Sequence, residues 1–366
     1  MKIILMAFAA ALALNVAQAQ EPKPPVRLAI IGLVHDHAGG FIPGLAGRPD
    51  IQLVGIVETN HEIAARYAAG LHLDTSLFHD TLEDLLAHTK VDAVALFTSA
   101  FDHPRMVEMC APHGLAIMME KPLAVNMEAA QAIDDASKKY NVPVFVNYMT
   151  TWSPANQAVY DLIHQPGGIG PVRRMVGCFG HQGPKEIGCS PWFLNWLTDP
   201  KLDGGGAVVD FGCYGADLMT WMMDGHPPVS VYAVTLHIKP DVYPKVDDDA
   251  TIVLTYPKTV GVIQGSWNWP CSRSDMEVYG QSGYVLAPRH AAIRVSKDGG
   301  DEVATLVKPL EGPAADEIPY LVAIARREIE PSGASSLAVN LVVTRILDAA
   351  RESAKTGRRV ELSPER

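Results

Sequence analysis

Apolar residues in the first half of the chain follow two alternating rhythms. Short, nearly continuous apolar runs (VRLAIIG, QLVGIVE, VDAVALFT, LAIMME and VPVFVNYM) alternate with HEIAARYAAGL, TLEDLLAHT, HPRMVEMCAPHG and NMEAAQAIDDASKKY, whose apolar positions recur at helical spacing. Strands apolar on both faces, separated by amphipathic helices, belong to a parallel sheet covered on both sides. Residues 25–150 are therefore predicted to form a doubly wound α/β domain. After Thr150 the texture changes. Gly, Trp and Pro become frequent, one strong helix is predicted around VVDFGCYGADLMTWMM, and VSVYAVTLHI, DDATIVLTYP, VGVIQGSWNW and SDMEVYGQSG read as strands. Strands with few helices between them form a mostly antiparallel sheet, so residues 151–333 are expected to be an α+β domain. A last helix in 334–366, LAVNLVVTRILDAARESAKTG, ends on a glycine suited to a C-cap and is expected to pack back on the body.

A chain of 366 residues that is about half apolar has room for two such cores. Its net charge of −11, with no cluster of Lys and Arg, excludes nucleic acid as a partner, because phosphates must be neutralised. The first nineteen residues are not fold: Lys2, an apolar stretch from Ile3 to Leu14 and Ala17-Gln18-Ala19 compose a secretory signal peptide, Met1–Ala19. No twin arginine precedes the stretch, and no later segment is a membrane-span candidate. The mature protein is thus expected in the periplasm or secreted, free of the membrane. Five widely spaced cysteines include no C-x-x-C; an oxidising compartment allows Cys178 to pair with Cys189, and the others read as buried small apolar residues.

Three stretches carry candidate chemistry. In LAIIGLVHDHAGGF, Gly32 makes the sharp turn after the first strand, but where a dinucleotide turn has G-x-G-x-x-G this chain has Val34 and His37, with His35 and Asp36 between them. Glu58 ends the second strand, where dinucleotide folds place the carboxylate that bonds ribose hydroxyls; it repels a 2′-phosphate and so favours NAD over NADP. In MMEKPLAVNMEAA, Lys121 follows a buried strand at the carboxyl edge of the sheet, where open α/β folds bind ligands, and Glu120 is placed to hold its ammonium or tune its pKa. In LDGGGAVVDFGCYGADLMTWMM, Gly204 to Gly206 allow close backbone approach, and Asp210, Tyr214 and Asp217 share one helix face, Asp217 reading as structural.

The Gly-led first strand, EKPLA at 120–124, G-G-G-x-x-x-D-x-G-x-Y at 204–214, DDATIVLTYP and the GSW strand occur in an order that resembles the glucose–fructose oxidoreductase, inositol dehydrogenase and MocA family of NAD(P)-dependent enzymes. The resemblance runs over essentially the whole mature chain. It implies a Rossmann domain plus an open-faced α+β substrate domain, subunits that pair into a homo-oligomer, and a carbohydrate or cyclitol substrate. By the same resemblance Lys121 contacts the substrate hydroxyl and the cofactor, and Asp210 orients the reacting group. Tyr214 stands where many members have the catalytic histidine, and a nearby ammonium is expected to lower its pKa toward the working range. Thr98 and His103, in FTSAFDHP, are placed beside the cofactor with Gly32, Val34, His35, His37, Glu58, Glu120 and Lys121. Trp192, Trp196, Trp267 and Trp269 offer flat faces for a sugar ring, or plain packing.

The histidines of the first turn admit three readings. A distorted turn still binds NAD through the helix N-terminus, with Gly39 and Gly40 rebuilding the loop; or His35 and His37 with Asp36 chelate a metal; or the histidines merely cap the loop. The downstream motifs favour the first reading, with no metal. Export adds a constraint, because no free NAD pool exists there to reoxidise a released cofactor. The reading is therefore an exported oxidoreductase acting on a secondary hydroxyl with a tightly bound, internally recycled NAD. Redox-neutral glycoside hydrolysis or elimination on the same site, or a cofactor-free metal-binding protein on a Rossmann scaffold, are the alternatives.

Overall fold

The computed structural model describes residues 23–362, so the expected signal peptide lies outside the described residues. Six parallel strands, β1 (Val26–Ile31), β2 (Ile51–Val57), β3 (Phe78–His79), β4 (Ala93–Leu96), β5 (Ala116–Glu120) and β6 (Val144–Asn147), form the first sheet in the order β3-β2-β1-β4-β5-β6. That order reverses between β1 and β4, and ligands of such sheets lie in the crevice outside the strand ends at this point. The strand positions β4, β5 and β6 are buried throughout, as both-face coverage demands.

The second sheet takes β7 (Arg174–Gly180), β8 (Ser230–Leu236), β9 (Asp249–Thr255), β10 (Val260–Ser266), β11 (Arg273–Tyr279), β12 (Gly283–Arg289), β13 (Ala292–Lys297), β14 (Val303–Leu306) and β15 (Val360–Glu361), in the order β14-β13-β12-β11-β7-β10-β9-β8-β15. Only β7 and β10 pair in parallel within it. The mixed α/β class with a Rossmann-like first domain and a mostly antiparallel second sheet is as expected. One face packs under helices while the other stays partly exposed: along β9, Ala250, Ile252 and Leu254 are buried, and Thr251, Val253 and Thr255 are not.

Two boundaries differ from expectation. The helix Glu317–Ala325, assigned above to the second domain, packs Ile318, Leu321 and Ile324 against Leu28, Ile30 and Phe145 of the first. Its IPYLVAIA run is apolar nearly all round, so it needs cover on more than one side, and the first sheet supplies it. The single helix expected across 208–223 is broken at Phe211 into Ala207–Asp210 and Gly212–Met222. The last helix, Leu337–Thr356, ends as expected on Gly357 in the left-handed region, with φ 67°. It packs on the Met127–Tyr140 helix of the first domain and on Gly212–Met222 of the second, tying the two together. Among the described residues no helix is long and apolar enough to cross a membrane.

Candidate functional site

β5 is buried to its end at Glu120, so the next residue emerges at the carboxyl edge of the sheet. Lys121 there is itself buried, and its Nζ donates to the Asp210 carboxylate and, at 3.3 Å, to the Asp210 carbonyl. Asp210 owes its place to Gly206, where a Cβ would fall 1.9 Å from the Asp247 carbonyl oxygen, and to Asp247, which accepts the Gly206 and Val208 amides at 3.2 and 2.7 Å. Trp267 Nε1 donates to the second Asp210 oxygen at 2.8 Å. Burial alone would raise the Asp210 carboxyl, but the Lys121 charge and the hydrogen bonds from Lys121 and Trp267 outweigh it and hold the group below its ordinary value. Burial would likewise lower Lys121, yet Asp210 keeps the ammonium well above its ordinary value. The two form a buried, fully charged pair.

They meet at a cavity of about 330 Å³ whose lining includes Phe179, His181, Phe211 and Tyr214. Tyr214 is present as expected, but its chemistry is not. Lys121 Nζ lies 5.1 Å from the centre of the Tyr214 ring, a cation–π contact, and burial pushes the phenol up rather than toward neutrality. Of the two readings of the tryptophans, sugar platform or packing, the second fits, since none of them lines this cavity. Trp267 is buried against Asp210, Trp196 donates to the Val34 carbonyl at 3.2 Å, and Trp192 and Trp269 lie against Arg66 and Arg273. Phenylalanines and Tyr214 make the apolar wall instead. His181, which sequence reasoning missed, follows β7; its Nδ1 accepts the Gly183 amide at 2.9 Å, and burial lowers its pKa, opposed by Asp210.

The turn after β1 faces this cavity from the other domain. Gly32 has φ +78° and its Cβ position is 2.5 Å from a Thr98 methyl, so glycine is required. Glu58 is buried beside it, accepting the Leu33 and Asn60 amides at 2.8 and 2.7 Å, and burial raises its pKa against those bonds. Gly32, Val34, Glu58 and Thr98 line a separate cavity of about 520 Å³ at the switch point of the sheet. It lies where sheets of this order take the adenosine end of a dinucleotide. Beyond that space the turn itself is tightly packed. The His35 amide donates to the Phe97 carbonyl, and its buried ring packs 4.9 Å from Phe193 and 5.3 Å from Trp196, which also holds the Val34 carbonyl. The Ser190 amide binds Asp36 at 2.6 Å and fastens the Pro191–Leu197 helix over the turn. The two cavities share no lining residue. Gly39 and Gly40 do not rebuild a loop; they lie inside the Ala38–Gly44 helix.

Glu120 does not hold the Lys121 ammonium, as its sequence neighbourhood suggested. It accepts Asn147 Nδ2 at 2.9 Å and lies 3.0 Å from His37 Nδ1 and 4.0 Å from His35 Nε2. Burial would raise its carboxyl, and His37, Asn147 and Lys121 hold it below the ordinary value. Burial drives His35 well below its ordinary value, helped by His37 and Lys121. His103 lines neither cavity: its Nδ1 donates to the Leu123 carbonyl at 3.0 Å within the first domain. All five cysteines are free, so Cys178 and Cys189 are not bridged; Cys178 instead donates to Gln264 at 3.3 Å. Asp217 is wholly buried with neither carboxylate oxygen bonded, and burial raises its pKa well above the ordinary value.

Comparison with known proteins agrees with this architecture. Residues 26–148 match the model of an oxidoreductase family with an NAD-binding Rossmann fold, and residues 157–286 match the GFO/IDH/MocA C-terminal domain. The chain is 25% identical over 254 residues to a trans-1,2-dihydrobenzene-1,2-diol dehydrogenase of Xenopus tropicalis, covering 68% of this chain and 71% of that one. It is 23% identical over 337 residues, 89% of this chain and 96% of that one, to a scyllo-inositol 2-dehydrogenase (NADP(+)) of Bacillus subtilis (strain 168). Among solved structures, the aldose-aldose oxidoreductase of Caulobacter crescentus complexed with glycerol superposes with a TM-score of 0.78 at 23% identity, over 92% of this chain and 100% of that one. The chain belongs to the glucose–fructose oxidoreductase, inositol dehydrogenase and MocA family of NAD(P)-dependent oxidoreductases.

Proposed function

We propose that this protein acts on a secondary hydroxyl of a sugar or cyclitol, with NAD(H) preferred over NADP(H). The buried Lys121–Asp210 pair at an aromatic-walled cavity carries this reading. Lys121, held cationic, is a donor and not a base at neutral pH; it stabilises negative charge growing on the reacting oxygen, in a setting where water does not screen it. Asp210, fixed by Trp267, aims that ammonium. His181 supports the role of proton carrier in place of Tyr214, since burial lowers its pKa and it lines the same cavity; to accept a proton it must release the Gly183 amide from Nδ1. Glu58, Asp80, Glu83 and Asp102 around the switch-point cavity, against Arg105 alone among its basic lining residues, support exclusion of a 2′-phosphate. The exposed Tyr232, Val234 and Leu236 on β8 support subunit pairing, and residues 1–19 support export.

The test is turnover of a panel of hexoses and cyclitols by the full chain with NAD+, followed through both NADH and the oxidised product. Oxidation of a cyclic polyol that is lost in Lys121→Met is expected; turnover unchanged in that variant would overturn the reading. A second reading, redox-neutral cleavage of a glycoside on the same pair, is supported by residues 1–19, read as a signal for export, since no free NAD pool lies outside the cytoplasm to reoxidise a released cofactor. It would show as aglycone release without net NADH.

A further inference from the structure

The corner formed by His35, His37 and Glu120 goes unused in the reading above. Their ligand atoms all lie within 4.8 Å of one another, drawn from the end of β5 and the turn after β1. An ion pair explains His37, whose Nδ1 is 3.0 Å from Glu120 Oε2. It does not explain His35. That ring is 1% exposed, its Nε2 has no hydrogen-bond partner, and at 4.0 Å from the same carboxylate oxygen it is beyond hydrogen-bond reach. A buried nitrogen left without a partner, aimed at a carboxylate and a second imidazole, is the arrangement a cation completes.

The surroundings fit the same conclusion. Metal–ligand bonds of about 2.1 Å put ligand atoms about 3.0 Å apart at right angles and about 3.4 Å apart at tetrahedral angles. The 3.0 Å between Glu120 and His37 already matches this, while the 4.0 Å between Glu120 and His35, and a third separation of up to 4.8 Å, require the packed His35 ring to turn inward to close on one centre. Glu120 is oriented from behind: Asn147 Nδ2 occupies its other oxygen at 2.9 Å, and Trp152 Nε1 fixes Asn147 at 2.8 Å, which leaves Oε2 for the histidines. Such outer partners are what set the direction of metal-ligating carboxylates. Two features oppose binding: the Lys121 ammonium, whose charge is felt by both His35 and Glu120 but is paired with Asp210, and a backbone contact. The His37 amide approaches His35 Nδ1 at 3.3 Å, and this long hydrogen bond must be given up when Nε2 takes a cation and Nδ1 carries the proton.

We propose that His35, His37 and Glu120 form a binding site for a divalent transition-metal cation of the zinc class, with open coordination positions toward the cavity that holds Lys121 and Asp210. His37 and Lys121 both line that cavity, so the open positions are available to oxygen atoms of a polyhydroxylated ligand. Two imidazoles and one carboxylate suit zinc, iron, cobalt or nickel rather than magnesium or calcium, which prefer oxygen donors alone. The turn that lost its dinucleotide glycines at positions 34 and 37 would thereby have gained a different ligand. This inference goes beyond the proposed function and does not depend on it.

The test is titration of the full chain, first freed of metal by a chelator, with Co²⁺ and then Zn²⁺. It is followed by visible absorption of the cobalt complex and by calorimetry, with no nucleotide or polyol present. Stoichiometric binding with a cobalt band, weakened by about 100-fold or more in His37→Ala and in Glu120→Gln but unchanged in His61→Ala, is the expected result. His37 is partly exposed and Glu120→Gln is isosteric, and thermal unfolding of each variant verifies that it is folded. Absence of saturable binding, or binding of equal strength in wild type and both ligand variants, overturns the proposal. Since neither outcome uses turnover, failure of the polyol assay leaves the result standing, and the reverse holds equally.

Discussion

The turn after β1 and the turn after β5 lie at the same carboxyl edge of one sheet, but they treat charge in opposite ways. After β5, Lys121 is buried with a full partner, Asp210, whose second oxygen is also bonded. After β1, His35 is buried with its Nε2 unpartnered, Val34 stands where a dinucleotide turn has glycine, and Trp196 closes over the backbone. The Lys121 side, proposed to meet the substrate oxygen, has its charges paired, while the β1 side departs from the glycine pattern of a dinucleotide turn. The two turns sit on different loops and touch through Glu120.

The largest effect that sharpens this comparison is on the Lys121 side. Lys121→Met leaves Asp210 a buried charge without a partner, expected to cost about 3–5 kcal/mol in urea unfolding, and Asp210→Leu in the same chain is expected to restore most of it. Asp210 is depressed in the folded state, so its contribution is present above its unfolded pKa and lost as pH falls through the folded one. Lys121 is raised, so its contribution is present below its unfolded pKa and lost as pH rises through the folded one. In Lys121→Met the unpaired Asp210 is left to burial, which raises its carboxyl, so the deficit is expected to be largest around neutral to mildly alkaline pH and to shrink progressively as pH falls and Asp210 takes up a proton.

Next is Asp217, an acid two turns along from Asp210 with no partner at all. Its folded pKa is raised, so its contribution is favourable only below the unfolded pKa and turns unfavourable as pH rises. Asp217→Asn is expected to stabilise the protein by about 1–3 kcal/mol at neutral pH, with the gain vanishing near pH 4 in thermal unfolding. Equal gains at both pH values would mean that the carboxyl titrates normally.

On the β1 side, Val34→Gly is expected to tighten NAD+ binding by about tenfold in calorimetry, a change of about 1.4 kcal/mol. Weaker binding in that variant would break the comparison, since it would make Val34 part of a working nucleotide site. The smallest effect is at Glu58: Glu58→Gln is expected to narrow any preference for NAD+ over NADP+ by about threefold, read from the ratio of the two dissociation constants.

Much of this was legible in the sequence, for local reasons. The strands of the first sheet announce themselves as apolar runs between amphipathic helices, and Lys121 and Asp210 stand in motifs whose spacing survives. β7 escaped because Gly177 and Gly180 interrupt its apolar pattern. The docking of Glu317–Ala325 onto the first sheet and the Trp196–Val34 bond are contacts between distant segments, which periodicity does not encode. The role of His181 was hidden for the same reason: nothing in HQG distinguishes a cavity histidine from a surface one. Asp36 was the acid weighed beside His35 and His37, whereas the carboxylate that meets them is Glu120, 83 residues beyond His37 in the chain.

The division of the site is tested most directly by calorimetry of the cyclic polyol that the full chain turns over best, bound to wild type, Lys121→Met and Val34→Gly under the same conditions. Loss of binding by about 100-fold or more in Lys121→Met, with Val34→Gly within about twofold of wild type, is the expected result. Equal losses in the two variants, or a loss confined to Val34→Gly, would contradict the account, because the turn after β1 would then be part of the substrate half.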